Sequence, residues 1–345
     1  MSQRLTQRSV TVALSSVLAV LLVLAAAVAP VPYVAYLAGP TFDTLGTEGD
    51  TPVIAVTGRE TFPTEGRLDL TTVELQSGLT LAEAVVRWFR RDQAVVPRDL
   101  VFAPGQSSEQ VQRENEQRMV ESKDAATTAA LTQLEIPVTV SVAGVEPESP
   151  ADGQLRAGDV LTAVDGTPVV SPAQLRTLVG ERAPGSTARV SYVRDGAPGE
   201  AVLTTAPAGE GPPRAVIGVQ TAVTDYPFEV TISLMEVGGP SAGLMFALGI
   251  VDKLVPGSLT DGAYVAGTGE ISADGVVGPI GGIQQKLIGA RRRGAEVFLV
   301  PAGNCAAAAQ NAPEGLLLLE VATLDQAVTS LEALAAGGAP DTCAT

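Results

Sequence analysis

The sequence predicts an α+β protein built from an N-terminal apolar helix, a module of short strands and a domain mixing strands with buried helices. Three observations carry this. Residues Val10 to Ala29 form a nearly unbroken apolar run without charge. From Ile136 to Thr204, β-branched runs alternate with Gly, Pro and Asp clusters. After Phe228 a strand runs through a glycine-rich turn into a segment that is apolar nearly all round. With 345 residues and 46% hydrophobic content, the chain has room for two or three packed cores.

The first element is long enough to span a bilayer. Thr11, Ser15 and Ser16 within it are small and can bond to helix carbonyls. Arg4 and Arg8 precede it, which places the N-terminus (1–9) in the cytoplasm and everything beyond Pro30 outside. Val31 to Leu37 prolongs the apolar stretch, so a membrane-spanning segment is expected over 10–32. A cleaved signal peptide is the alternative, since Ala27-Val28-Ala29 fits the small-x-small pattern, although Pro30 directly after it would hinder cleavage. Both readings export the body of the protein.

Residues 33–130 follow as a juxtamembrane region. Val53 to Thr57 and Leu68 to Leu75 read as short strands, Leu81 to Arg90 has helical spacing, and Ser107 to Leu134, without Pro or Gly, reads as a long helix with a solvated face. Strands are next expected at Val138 to Val142, Val160 to Val164, Ala188 to Val193 and Ala201 to Thr204, with a helix over Ser171 to Val179 capped by Ser171-Pro172. Between them lie Ser149-Pro150-Ala151, Gly158-Asp159-Val160 and Asp165-Gly166. These motifs make residues 131–208 resemble a bacterial PDZ domain, a β-sandwich or barrel-like module. The resemblance implies that a peptide adds as a strand beside Val138 and Val140, its side chains meeting Leu175 and Leu178. Leu134-Glu135-Ile136-Pro137 replaces the family's Gly-rich carboxylate loop, and Pro137 has no N–H to offer, so a docking or gating role stands beside capture of a free C-terminus.

Composition decides which chemistry is available. The chain has no histidine, which excludes Ser-His-Asp and Cys-His catalysis and HExxH zinc sites. A net charge of −16 argues against nucleic acid, whose phosphates need a basic footprint. Of 22 cationic residues only Lys123, Lys253 and Lys286 are lysines. Cys305 and Cys343 are the only thiols, and outside the cytoplasm a disulfide between them is one reading; two unpaired thiols are the other. No CxxC pair is present, and neither metal nor cofactor is expected.

Gly238-Gly239-Pro240-Ser241-Ala242-Gly243 places Ser241 in the first turn of the apolar helix Leu244 to Val255. There the free amides and the positive end of the dipole favour a developing oxyanion, and the glycines keep side chains away from a substrate backbone. Such a turn also starts ordinary buried helices. The second element is a helix from Gly281-Gly282 to Gly294 with Arg291, Arg292 and Arg293 at its C-terminal end. Ile283, Leu287 and Ala290 mark its apolar stripe, and Lys286 falls on the same stripe, facing inward. Burial can lower a lysine pKa by about 3 to 5 units, giving a neutral amine able to act as a general base toward a serine. A lysine that snorkels to solvent is the bland alternative.

Gly239-Pro240-Ser241-Ala242-Gly243, Thr268-Gly269-Glu270-Ile271, Gly278-Pro279-Ile280-Gly281-Gly282 and Lys286 follow one another as in the Lon proteolytic domain, which residues 209–337 resemble, with a tail at 338–345. The whole chain is similar to membrane-anchored PDZ plus Lon-like proteases of Gram-positive bacteria. The resemblance implies Ser241 as nucleophile, Lys286 as base, Thr268 as a partner orienting the amine, and an oxyanion hole from the Ser241 amide and the neighbouring Gly239 and Pro240. Lon enzymes often carry Asp where this chain has Gly238; Glu236 is the nearest substitute. Thr61 to Leu75 and Met119-Val120-Glu121-Ser122 also resemble the opening of a Lon proteolytic domain, which would make the PDZ module an insertion within it.

No Gly-x4-Gly-Lys-[Ser/Thr] occurs. The expectation is therefore an ATP-independent, membrane-anchored serine endopeptidase acting on exported or membrane-associated proteins. Its partners would be protein or peptide substrates, the bilayer, and further copies of itself in a homo-oligomer. The alternative is a PDZ-containing membrane scaffold with an inactive protease domain.

Overall fold

The computed structural model describes residues 7–90, 92–102, 108–208, 214–234 and 237–343. In chain order its main elements are α1 (Gln7–Val28), β1 (Tyr33–Asp43), β2 (Ile54–Thr57), β3 (Arg67–Gln76), α2 (Leu81–Trp88), β4 (Ala94–Pro97), α3 (Ser108–Gln133), β5 (Thr139–Val145), β6 (Val160–Val164), α4 (Pro172–Gly180) and β7 (Thr187–Arg194). There follow β8 (Ala197–Thr204), β9 (Val219–Asp225), β10 (Glu229–Ile232), α5 (Gly243–Leu254), β11 (Tyr264–Gly267), α6 (Ile283–Arg293), β12 (Val297–Pro301), α7 (Cys305–Ala309), β13 (Leu317–Val321) and α8 (Leu324–Ala335). Helix and strand are thus mixed throughout, as the composition and patterning predict.

One six-stranded sheet, in the order β13-β12-β11-β3-β1-β4, is drawn from both ends of the chain. Its first four strands run parallel, and β1 joins β3 and β4 antiparallel. Strand side chains alternate between faces. Val265, Val297, Leu299, Leu319 and Val321 join the core with α5, whereas Ala266, Phe298, Val300 and Leu318 pack with Ile283, Leu287 and Ala290 of α6. The sheet is consequently covered on both sides, which explains why its central strands β11 and β12 read as apolar runs. The segment Thr61 to Leu75 enters this sheet as β3, beside β11.

Helix α3 has two environments. Its first half is mostly solvated, as expected from its charge, whereas Ala126, Ala129, Ala130 and Leu131 are buried against the core shared with α5. The small side chains of that run let two helices approach closely.

A second sheet has the order β8-β7-β6-β5-β9, all antiparallel, with a short Thr167–Pro168 strand beside β6. Helix α4 is capped as the sequence predicts: Ser171 Oγ accepts from the Gln174 amide, and Pro172 opens the helix. Two expectations are corrected here. Strand β5, expected to present a free edge at Val138 and Val140, is interior, because β9 pairs with it from Val219↔Val145 to Asp225↔Thr139. The second concerns extent: beyond residue 208, Val219–Asp225 also belongs to this sheet.

The apolar helix also ends earlier than the expected 10–32. It stops at Val28, since Pro30 and Pro32 cannot donate the next helical hydrogen bonds, and Val34 and Ala35 are core residues of β1. The stretch Val10–Val28 is long and apolar enough to cross a membrane. At the other end, Cys305 and Cys343 form a disulfide, their Cα atoms 5.0 Å apart, which holds residues 341–343 against β13.

Candidate active site

The turn before α5 is a short 3₁₀ segment, Pro240–Ala242, entered through Gly239 at φ +89°, a left-handed conformation that a side chain would strain. Helix α3 braces it from behind. The Gly239 amide donates to the Asn115 carbonyl at 3.2 Å, and Ser122 Oγ donates to the Pro240 carbonyl at 3.1 Å. A Cβ on Gly243 would lie 2.7 Å from Ile271 Cγ2 and 2.9 Å from Ser122 Oγ, so only glycine lets α5 begin here.

Lys286, on α6, is 2% exposed, flanked by the buried Ile283, Leu287 and Ala290. Its Nζ lies 2.8 Å from Ser241 Oγ and 2.8 Å from Thr268 Oγ1. Thr268, fully buried just after β11, donates its hydroxyl to the Ser241 carbonyl at 2.9 Å, where the Gly269 amide also donates at 2.9 Å. Desolvation pulls the Lys286 pKa down to about 7, while the nearby Glu270 carboxylate opposes that shift. Half of the lysines at such a pH carry a free amine.

Ser241 and Lys286 open on a cavity of about 600 Å³ whose lining includes Tyr36, Phe42, Val73 and Ile280, with Glu74, Arg118 and Glu270 as further charged members. The start of the 3₁₀ turn leaves the Ser241 amide without an intrahelical acceptor, whereas the Ala242 amide faces the Gly239 carbonyl within the turn. The Ser241 amide is therefore the turn's donor available to an incoming acceptor. Two expected contributors are corrected: the Gly239 amide is committed to Asn115, and Pro240 has no N–H. Glu236 lies outside the described residues.

Sequence reasoning missed Asn115, and it named Ser122 only as part of the Met119–Ser122 motif without its bracing contact; both contacts with the turn span more than a hundred residues of chain. It also missed the groove of the second sheet, a cavity of about 350 Å³ between α4 and the segment Ile217–Thr221. Leu175, Arg176 and Val179 line its helical wall. Leu175 lines this groove, whereas Leu178 packs against the core on another side of the helix and Val138 and Val140 are buried. The signal was Ile217-Gly218-Val219, an apolar-glycine turn leading into an alternating strand. Arg176 also forms an ion pair with Asp274, in the hairpin that follows Glu270.

Residues 110–205 match the family model of the PDZ domain, and residues 234–332 that of the Lon protease (S16) C-terminal proteolytic domain. Among curated proteins, the chain is 39% identical over 80 residues to Lon protease 1 of Sorangium cellulosum, covering 23% of this chain and 10% of that protein. It is 36% identical over 91 residues to the Lon protease of Haemophilus influenzae, covering 26% of this chain and 11% of that one. The chain thus spans about a tenth of the length of these relatives. Among solved structures, the PDZ domain of the SdrC-like protein from Listeria monocytogenes is 25% identical, with 24% of this chain and 85% of that one covered at a TM-score of 0.22. Behind an apolar N-terminal helix that is a candidate membrane anchor, the chain therefore carries a PDZ domain and a serine-protease domain of the Lon type.

Proposed function

We propose that the protein is a membrane-anchored serine endopeptidase that hydrolyses peptide bonds with a Ser241–Lys286 dyad and without ATP. The observation that carries this reading is the position of a buried lysine amine 2.8 Å from the hydroxyl of a serine at the mouth of a cavity. The neutral Lys286 amine takes the Ser241 proton as Oγ attacks the scissile carbonyl. The tetrahedral oxyanion sits at the amide of Ser241. The Lys286 ammonium then returns its proton to the leaving amine, giving an acyl-serine and a free N-terminus. Water, deprotonated by Lys286, releases the acid.

In this reading residues 33–133 and 228–337 form one protease domain, with the PDZ module inserted between α3 and β10. Helix α1 is the retained anchor, and the domains beyond it are extracytoplasmic. The Cys305–Cys343 disulfide supports that side of the membrane, since such bonds persist in oxidising compartments. Substrates are exported or membrane-associated proteins, and the PDZ groove docks extended segments along the open edge of β9.

The test compares cleavage of casein and of a peptide library by the full chain, in detergent without nucleotide, with that of Ser241→Ala and Lys286→Ala. Both variants are expected to lose cleavage. Residual activity equal to that of the unaltered chain would sink the dyad and favour a PDZ-containing membrane scaffold.

A further inference from the structure

Helix α2 is held along one side, by Ala84 and by Arg87, which donates to Gln93 and Gln76, and its apolar side is left uncovered by the described residues. Ala84 packs into a small cluster with Ala35 and Leu79, and Thr80 and Glu83 cap the helix start reciprocally. Leu81, Val85, Val86, Trp88 and Phe89 all point outward, Trp88 with 66% and Phe89 with 83% of its surface exposed. Isolated exposed apolar residues are ordinary, but a contiguous face ending in two aromatics is not.

Its position tells what covers it. The Leu81 amide donates to the Ala29 carbonyl at 2.9 Å, the Val31 amide donates to the Leu79 carbonyl at 2.9 Å, and Pro30 bridges Thr80. Helix α2 therefore starts where α1 ends, and the two helices touch. The face is continuous with α1, whose apolar stretch Val10–Val28 is left unburied by the described residues. Tryptophan and phenylalanine beside arginine suit the level of lipid headgroups, where an aromatic ring meets acyl chain and a guanidinium meets phosphate. Arg90 is exposed directly after Phe89.

We propose that α2 is a second, interfacial membrane contact: it lies in the headgroup layer of the bilayer crossed by α1, with Trp88 and Phe89 inserted. This rests on reading α1 as a retained anchor. The contact fixes the orientation of the protease domain on the membrane, which a single spanning helix leaves free to swivel.

Trp88 is the chain's only tryptophan, so its fluorescence reports this site alone. The full chain is reconstituted in phosphatidylcholine vesicles, and anchoring is measured separately by flotation after an alkaline wash. The expected result is blue-shifted emission, shielded from aqueous iodide and reduced about twofold by lipids brominated near the headgroup. Phe89→Asp should weaken that quenching while cleavage of a soluble peptide is unchanged. A floating chain whose Trp88 is quenched by iodide and not by bromolipid overturns the inference and leaves the anchor standing. Shielding from both quenchers assigns the face to a protein contact, such as a second copy, and overturns it equally. A chain that does not float removes the anchor and this contact together.

Discussion

The Thr268 hydroxyl donates to the Ser241 carbonyl at 2.9 Å while its oxygen sits 2.8 Å from Lys286 Nζ. Because the threonine proton is committed, the amine must donate an N–H to Thr268, and its lone pair is left to face Ser241 Oγ. Thr268→Val, similar in shape, removes both bonds. Losing them should cost about 1–3 kcal/mol, a fall of roughly 5- to 150-fold in kcat. KM should change little, and Thr268→Ser should restore the rate; steady-state cleavage of a fluorogenic peptide reads both.

The pH profile follows from the same amine. With the Lys286 pKa at about 7, kcat should rise through that pH and level off above it, because only the neutral form accepts the serine proton. Glu270 opposes the lowering, so Glu270→Gln should move the rising limb to lower pH. A limb that stays in place would show that Glu270 does not reach the amine.

Burying this lysine also costs stability in a pH-dependent way. Its folded pKa of about 7 lies below the ordinary 10.5, so between these values the unfolded chain holds a proton that the folded chain has released. Stability must then rise as pH climbs across that window. Lys286→Met should stabilise the inactive protein by up to about 5 kcal/mol below pH 7, with the gain fading toward pH 10.5. Denaturant unfolding at several pH values measures it.

Gly243→Ala tests the bracing of the turn. The added methyl meets Ile271 and Ser122, and overpacking of this kind costs about 1–3 kcal/mol. Both thermal stability and kcat should fall, since α5 can accommodate the methyl only by moving Ser241.

Reducing the Cys305–Cys343 bond frees a loop of 38 residues and should cost about 4 kcal/mol by the chain-entropy account. Melting with and without reductant checks the size of the effect, and hydrogen exchange should show residues 341–343 leaving β13 first.

What could be read in advance follows the range of the forces involved. Ser241 and Lys286 stand in segments whose own glycine turns and apolar stripes place them, and α4 announces its start through Ser171-Pro172. Asn115 gave no such sign, and Ser122 stood out only within a motif that says nothing of its contact, because the role of both depends on how α3 docks against a turn far along the chain. Val219–Asp225 alternates like any strand, yet nothing local says that its partner is β5. The overlong apolar span has the opposite cause: Pro30 and Pro32 were local evidence against it, outweighed by the hydropathy of Val31 to Leu37.

The brevity of the connection between α1 and β1 sets a working distance. Only seven residues separate Val28 from Tyr36, a wall of the active-site cavity, and eight fully extended steps reach at most about 29 Å. Where α1 spans a bilayer, the cavity cannot stand further than that from its surface. For a substrate that shared that membrane, bonds far beyond this reach along its extended segment would gain nothing from the common surface.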